Sequence, residues 1–307
     1  MSYLPQSPFE PGPLDDLRPE AAPAAAAEPS ERTLRRRYVL RSLWHSPTFL
    51  VGAGILLFWI FMALFSVHVS KYGPYSIDPI HALAPTSGAH WFGTDEAGRD
   101  VLSRTLAGAA TVLVIAPLST LLCLLLGGSI GLYSGYFGGT RDEVIMRFVD
   151  VLLAVPVVVA ALVIVAALGH SIAVIILMIG VLFTPPVART IRAAVVSERQ
   201  KEYVLAARLR GESAVYIMAS EILPNILSPI IVEGTVRLGY AVFTAATVAF
   251  LGFGVQPPSP DWGLTISIDS QYIQTAWWTV LFPALALASL VVGANLLADG
   301  VRKALSE

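Results

Sequence analysis

The chain has 307 residues, of which 55% are hydrophobic and 14% charged, and its mean hydropathy is +0.68. This composition excludes an ordinary soluble protein and predicts an all-α membrane protein. The formal net charge of −2 excludes little, because the position of each charge relative to the spans matters more than the sum. The chain has a single cysteine, Cys123, which lies in an apolar run. One cysteine excludes an internal disulfide and a cysteine-built metal site.

The N-terminal region is polar and changes composition before the first apolar run. Residues 1–33 are rich in proline, alanine and acidic residues, which predicts a disordered cytoplasmic tail; a tail that binds a partner is the alternative. Residues 34–48 form a basic segment, and the positive-inside rule places this end in the cytoplasm. The arginines of the region are Arg32, Arg35, Arg36, Arg37 and Arg41.

Six segments are long and apolar enough to cross a bilayer core, which takes about 20 helical residues. They are residues 49–69, 107–133, 144–168, 172–188, 226–253 and 278–297. The pattern predicts a first transmembrane helix at 49–69, an extracytoplasmic loop at 70–104, a core of five further transmembrane helices at 105–301, and a cytoplasmic tail at 302–307.

The loops between the predicted spans differ in charge and in aromatic content. The segments around Arg141 and Arg147 and residues 189–221 are basic and are expected in the cytoplasm, whereas residues 254–277 contain no Lys or Arg and are expected outside. Aromatic residues on the outer side are expected at the headgroup level. They are Tyr72, Tyr75, Trp91, Trp262, Trp277 and Trp278.

A polar stretch at residues 189–224 separates the fourth and fifth predicted spans. Its composition predicts a helix up to Arg210, a left-handed stop at Gly211, a second helix capped by Ser213, and a break at Pro224. Small apolar residues alternate with charges on the first helix, which indicates a docking surface. A solvated helix lying on the membrane is the alternative.

Several stretches resemble a known family. The order Glu202, Ala206-Ala207, Gly211 and then Ile222-Leu223-Pro224 resembles the EAA motif of the transmembrane subunits of ABC importers, although the final ILP lacks the usual spacer residue. Further stretches resemble the C-type permease subunit of dipeptide and oligopeptide importers. They are FGTDEAGRDVLSR (92–104), MRFVDVLLAVP (146–156), FLGFGVQPPSPDWG (250–263) and the C-terminal run from Trp277, and the resemblance covers roughly residues 35–305.

The resemblance implies a binding-protein-dependent transport component of the inner or plasma membrane, with both termini in the cytoplasm. The implied fold is the type I permease fold of ABC importers, with six transmembrane helices and coupling helices within about 189–224. The residues implied to contact an ATPase are Glu202, Ala206, Ala207, Gly211, Leu223 and Pro224. The implied activity is import of di- or oligopeptides by alternating access, with nickel or another small solute as the alternative cargo.

The resemblance also implies the partners. They are a second homologous permease in a heterodimer, two cytoplasmic ATPase subunits that bind ATP and Mg²⁺, an extracytoplasmic substrate-binding protein, and the lipid bilayer. No nucleic acid and no cofactor bound by this chain are expected. A self-contained secondary transporter, the alternative class, would show a repeated half with paired broken helices, and the sequence has no such repeat.

The sequence lacks the motifs for ATP hydrolysis, for zinc-dependent hydrolysis and for thiol redox chemistry. G-x-x-x-x-G-K-[ST], H-E-x-x-H and C-x-x-C are all absent, and we expect no catalysis and no ATP hydrolysis by this chain. His81 and His90 share a loop with Asp78, but a metal site needs several convergent ligands. We therefore expect surface histidines and no metal.

Two sets of charged residues remain as candidate functional sites. Glu233 and Arg237 lie on one face of the fifth span, and with Thr244 and Thr247 they are expected to line the translocation path; an ion pair that only fixes helix packing is the alternative. In the outer loop, a binding-protein docking surface is expected at Asp95, Arg99 and Asp100. The alternative there is an interfacial helix stabilised by an i,i+4 pair of Asp100 and Arg104.

Overall fold

A computed structural model of the chain describes residues 41–306. The expected disordered tail lies outside the described residues, as do Arg32, Arg35, Arg36 and Arg37. The helices of the described part are numbered in chain order: α1 (Pro47–Val69), α2 (Val101–Phe137), α3 (Gly139–Leu153), α4 (Val157–Leu168), α5 (Ile172–Glu198), α6 (Glu202–Leu209), α7 (214–225), α8 (Leu227–Val248), α9 (Trp262–Asp269) and α10 (Trp278–Ser306). The expected all-α membrane fold is confirmed.

Within residues 41–306, five helices are long and apolar enough to cross a membrane: α1, α2, α5, α8 with its continuation to Phe253, and α10. The third predicted span is a pair of helices rather than one straight helix, because α3 and α4 meet at an angle of 86° and can form a sixth span only as a bent pair. Pro156 explains the bend, since proline has no N–H and disfavours helical conformation in the preceding residue. By itself α4 is too short to cross, because 12 residues rise about 18 Å.

Several helices extend beyond the predicted spans. The helix α2 already begins at Val101, where Asp100 caps it, and it ends at Gly138, whose φ of +65° stops the helix. Residues 189–198 continue α5, so they do not belong to a separate polar helix. The predicted C-terminal tail from residue 302 is also part of a helix, because α10 continues to Ser306.

The core is centred on the packing of α2 against α5. Gly127, Gly131 and Gly135 repeat every four residues along α2, and a Cβ atom at each would lie 2.6–2.8 Å from atoms of α5. Small residues at this spacing allow two helix backbones to approach closely inside a membrane. The pair α2 and α5 therefore forms a tightly packed unit, and Cys123 is fully buried in the same core.

The outer helices α1 and α10 pack together along the side of this core. A Cβ atom on Gly52 would lie 2.7 Å from the carbonyl oxygen of Gly293, and the indole of Trp59 donates a hydrogen bond of 2.9 Å to the hydroxyl of Ser289. We call the end of the bundle with residues 138–142 and 198–225 the basic end, and the end with residues 70–100 and 254–277 the loop end. The charge pattern assigns the basic end to the cytoplasm, and this assignment stays a prediction.

Candidate functional site

The polar segment, residues 202–225, folds as two short helices at the basic end. The left-handed stop predicted at Gly211 is confirmed by its φ of +78°, which a residue with a side chain would adopt only with strain. The predicted cap is also confirmed, because the Ser213 hydroxyl accepts a hydrogen bond of 3.2 Å from the backbone N–H of Tyr216. The sequence therefore specifies a helix, a tight turn and a second helix.

The second helix, α7, is widened before it ends. Residues Ile217–Ile222 form a π-helical turn, and Pro224 follows two residues later. The helical conformation stops at Ile226, whose φ and ψ are −100° and 9°. The predicted break thus lies two residues beyond the proline, and α8 begins directly after it.

The outer face of the polar segment exposes apolar side chains. The exposed fraction is 90% for Leu209, 71% for Val215 and 46% for Leu205. Of the residues implied to contact an ATPase, Glu202, Ala206, Gly211 and Pro224 are exposed and Leu223 is half-buried. Exposed apolar side chains that lie together mark a surface that binds a protein partner or the membrane.

The inner face of α6 packs onto the rest of the chain. Val204 and Ala207 are fully buried, so the Ala207 methyl group faces this chain's own core and is not available to a partner in this conformation. The guanidinium of Arg208 lies 4.9 Å from the ring centre of Tyr136, at the end of α2. The Tyr203 hydroxyl donates a hydrogen bond of 2.6 Å to Glu198, at the end of α5. The polar segment is therefore attached to both members of the α2–α5 unit.

Burial and the hydrogen bond to Glu198 raise the pKa of Tyr203, so this phenol keeps its proton at physiological pH.

Arg199, the residue after Glu198, donates to the carbonyl oxygens of Gly135 and Tyr136 at 2.7 and 3.2 Å. These carbonyls belong to the last turn of α2, which has no further helical partners for them. The end of α5 thus caps the end of α2.

A second polar connection joins α2, α3 and α5 at the basic end, and the sequence analysis missed it. Arg192 binds the Asp142 carboxylate through two guanidinium nitrogens, and the Ser134 hydroxyl donates to the same carboxylate. We call these residues (Ser134, Asp142 and Arg192) the clasp. Fifty positions separate Asp142 from Arg192, so no local sequence pattern indicates the pair.

At the loop end, the residues expected to dock a binding protein are engaged within the chain. Asp95 is 1% exposed; its carboxylate accepts hydrogen bonds from the backbone N–H groups of Ala97 and Arg99, both at 2.9 Å, and from Nε of Arg99 at 2.7 Å. Asp100 is 4% exposed and accepts from Ser103 N at 2.8 Å while capping α2. These buried side chains therefore fix the backbone conformation of the loop.

The predicted i,i+4 pair of Asp100 and Arg104 is wrong. Nε of Arg104 lies 3.4 Å from Asp95, and its terminal nitrogens donate to backbone carbonyls, including those of Pro74 at 3.2 Å and Ser259 at 3.0 Å. Arg104 therefore connects the two loops of the loop end, and its partner Ser259 lies 155 positions further along the chain. Spacing along one helix could not indicate such partners.

The expected headgroup position is wrong for two tryptophans. Trp262 is fully buried and its indole donates a hydrogen bond of 2.7 Å to the carbonyl oxygen of Thr105. Trp278 is buried as well and donates to the carbonyl oxygen of Thr94 at 3.2 Å. Trp91 and Trp277, at 70% and 50% exposed, keep the accessibility that a headgroup position requires.

Asp269 is a buried carboxyl group that the sequence analysis did not single out. It is 2% exposed, and burial together with the negative charges of Asp95 and Glu96 raises its pKa to about 7. Asp261, the cap of α9, also has a raised pKa because it is buried. The loop end therefore contains a carboxyl group that changes its charge near neutral pH.

Glu233 and Arg237 form the expected pair on α8, with 2.7 Å between Oε1 and Nε. The Arg237 guanidinium lies 5.8 Å from the ring centre of Phe183 and 5.5 Å from that of Tyr240. Both charged side chains retain some exposure, at 12% and 17%. Thr244 is buried, and the Thr247 hydroxyl donates to the carbonyl oxygen of Phe243 at 2.9 Å. The role of this face in a translocation path stays a prediction.

The two histidines of the loop end each bind a carboxylate. Nδ1 of His81 lies 2.8 Å from Asp78, and Nδ1 of His90 lies 2.9 Å from Asp100. Across residues 41–306, no group of three or more His, Cys, Asp or Glu side chains is arranged to hold a metal ion. The hydrogen bond from His81 also holds the pKa of Asp78 below its usual value.

Comparison with known proteins gives a consistent result. The profile of the family described as "Binding-protein-dependent transport system inner membrane component" matches residues 127–307. The dipeptide transport system permease protein DppC of Alkalihalophilus pseudofirmus is 36% identical over 93% of this chain and 96% of its own length. DppC of Escherichia coli K12 is 40% identical over 87% of this chain and 92% of its own length. The probable D,D-dipeptide transport system permease protein DdpC of Escherichia coli K12 is 36% identical over 84% and 86%.

Proposed function

Because the chain belongs to the family of binding-protein-dependent transport system inner membrane components, we propose that it is a permease subunit of an ATP-driven importer of di- or oligopeptides. The chain forms part of the membrane pathway and catalyses no bond change itself. Its partners are a second permease, two cytoplasmic ATPase subunits that bind ATP and Mg²⁺, and an extracytoplasmic substrate-binding protein. Both termini lie in the cytoplasm.

The observation that carries this proposal is the exposed apolar face of the polar segment. Leu209 and Val215 project from a helix–turn–helix that follows a long membrane helix, and they are the type of residue that a protein partner would cover. Glu202 and Ala206 are also exposed and lie with Leu209 on α6, and Gly211 provides the turn between α6 and α7. We infer that an ATPase subunit covers this face and moves it when ATP binds.

The internal contacts of the polar segment support a route for that movement. Arg208 contacts the end of α2 and Tyr203 contacts the end of α5, while the glycines of α2 hold these two helices together. A push on α6 would therefore displace α2 and α5 as one body. Alternating access then requires a second body, for which α8 and the second permease are the candidates.

The names of the relatives favour a peptide cargo, since they mention dipeptides and D,D-dipeptides. A permease of the same architecture that imports nickel or another small solute is the alternative. We propose that Glu233, Arg237, Thr244 and Thr247 line the path, because charges inside a span usually face a cavity or a helix interface. Normal uptake by Arg237→Leu at unchanged membrane abundance would contradict this role.

We also propose that the loop end receives the substrate-binding protein. Asp95, Arg99 and Asp100 contribute to this surface mainly by fixing the backbone of residues 92–104, since their charged groups are engaged within the chain. The exposed side chains of the loop, such as Trp91 and Tyr75, would make the direct contacts.

The test is purification of the chain from its native membrane and identification of the subunits that co-purify. We expect an ATPase subunit whose association is lost with Gly211→Asp and with Glu202→Lys. Glu143→Lys is the matched control, because Glu143 is 69% exposed at the same end of the bundle but lies outside the polar segment. A chain that transports peptide after reconstitution alone would overturn the proposal.

A further inference from the structure

A large cleft opens between α2, α3 and α5. Its volume is about 740 Å³, and its walls are almost entirely apolar. The residues that form it include Ile130, Tyr133, Val144, Phe148, Leu152 and Pro185. Cavities of this size can hold a ligand with many carbon atoms.

The surroundings of the cleft are those of a membrane-embedded surface. The helices α2 and α5 are spanning helices, and α3 is part of the bent sixth span. Phe148 and Val144, on the wall formed by α3, are 65% and 64% exposed. Since the solvent around such a surface is lipid, the apolar walls favour an acyl chain over water.

One cation lies about one helical turn before the wall that α3 contributes to the cleft. Arg141 precedes Val144, Ile145, Phe148 and Leu152 by three, four, seven and eleven residues, which places it on the same face of α3 at the end nearest the basic end of the bundle. Its guanidinium lies 5.2 Å from the ring centre of Phe137. The Phe137 ring lies 4.7 Å from that of Tyr133, a residue of the cleft wall. An aromatic row thus connects the cation to the cleft.

Arg141 also differs from three other arginines of α3 and α5. Arg147, Arg189 and Arg192 each pair with a carboxylate, whereas within residues 41–306 Arg141 forms no ion pair. An apolar cleft beside a cation that forms no ion pair is complementary to an amphiphile that has an anionic head and an apolar tail.

We propose that this cleft binds an acyl chain of an anionic phospholipid whose phosphate group pairs with Arg141. The proposal does not rest on peptide import, since it is argued only from the apolar walls of the cleft and the charge of Arg141. A helix of a second permease subunit is the other occupant that the cleft could take, and the experiment separates the two.

The test uses the full chain in vesicles of equal parts phosphatidylglycerol and phosphatidylcholine, followed by native mass spectrometry of the extracted protein. We expect the parent chain to retain phosphatidylglycerol in preference to phosphatidylcholine. Arg141→Gln should reduce this retention about tenfold, the loss that corresponds to one charge-assisted hydrogen bond. Arg141→Lys should keep most of it, because the positive charge remains.

Two further variants control for position and for the cleft itself. Arg147→Gln removes an equally charged side chain from α3, but one that is 80% exposed and paired with Glu143, so retention should not change. Val144→Trp fills the mouth of the cleft while leaving Arg141 in place, and retention should fall as it does for Arg141→Gln.

Three results would overturn the proposal. They are equal retention of both lipids by the parent chain, unchanged retention in both Arg141→Gln and Val144→Trp, and efficient cross-linking of Val144→Cys to a second protein chain in native membranes. A failure of this kind would leave the ATPase co-purification unaffected, so it would not be confused with a failure of the proposed function.

Discussion

Two charged stretches interrupt this apolar chain, and they use their polar groups in opposite ways. Residues 92–104 at the loop end bury their carboxylates, with Asp95 and Asp100 at 1% and 4% exposed and hydrogen-bonded within the chain. Residues 202–216 at the basic end leave apolar groups outside, with Leu209 at 90% exposed. The first stretch therefore stabilises the fold, and the second has the surface of an interface. Only the burial of its side chains shows whether a charged motif stabilises the fold or forms an interface.

The largest expected effect comes from breaking the buried network of the first stretch. Asp95→Ala would leave Arg99 and Arg104 without their counter-charge in a buried site, which typically costs about 3–5 kcal/mol. We expect a large fall in the melting temperature of the chain in detergent. Asp78→Ala is the control, because Asp78 is about half exposed and its loss should change the melting temperature little. Equal melting temperatures for both variants would show that the network carries no stability.

The clasp tests whether buried polar groups also stabilise the basic end. Asp142→Asn weakens the bond to Arg192 and should lower the free energy of unfolding by about 1–3 kcal/mol, as expected for a charged hydrogen-bonded group. Arg147→Ala is the matched control on the same end, because its pair with Glu143 spans 3.8 Å and is exposed. That control should change stability by less than about 0.5 kcal/mol. Thermal unfolding followed by circular dichroism measures both, and similar losses would remove the distinction between them.

Leu209→Asp tests the second stretch, in which the substituted side chain is exposed and not buried. Since Leu209 is 90% exposed, the free energy of unfolding should change by less than about 0.5 kcal/mol. Peptide uptake should nevertheless fall about tenfold, which corresponds to roughly 1.4 kcal/mol of lost interface energy. Uptake into vesicles at equal abundance measures the effect. A variant that transports normally would contradict the proposed interface at this face.

Asp269 gives an effect that depends on pH, since it is absent at low pH and develops as the pH rises. Because its pKa is raised from 3.8 to about 7, the folded chain keeps the proton between these values while the unfolded chain loses it. The contribution of Asp269 to stability is therefore complete at low pH and falls as the pH rises towards 7. Asp269→Asn should match the parent chain near about pH 4 and be more stable near about pH 8. Melting temperatures at the two pH values measure this, and a constant difference would contradict the assigned burial.

Most of the local structure could be predicted from the sequence. Apolar runs of sufficient length locate the spans, because each helix satisfies its own backbone hydrogen bonds in the membrane. The turn at Gly211 and the cap at Ser213 were also predictable, since both depend on the residue's own conformation and on neighbours a few positions away. Pro156 could have indicated the bend, but the residues on both sides of it are apolar and have the composition of one continuous span.

The contacts between helices could not be predicted in the same way. The same i,i+4 rule suggested a pair for Asp100 with Arg104 and for Glu233 with Arg237, and only the second exists. Arg104 instead pairs with Asp95 and donates to carbonyls of a distant loop, which the fold brings within its reach. Spacing along a helix shows which pairs can form, but not which competitors are nearby.

The sequence by itself determined the class of the protein, the places where the chain crosses the bilayer, the helix–turn–helix around Gly211, and the family. These properties follow from local composition, from the length of apolar runs and from the conformations of single residues. Only the tertiary structure decided that Ala207 faces inward while Leu209 faces outward, that Asp142 meets Arg192, and that α2, α3 and α5 form an apolar cleft. The reason is that burial and pairing depend on how helices from distant parts of the chain fit together.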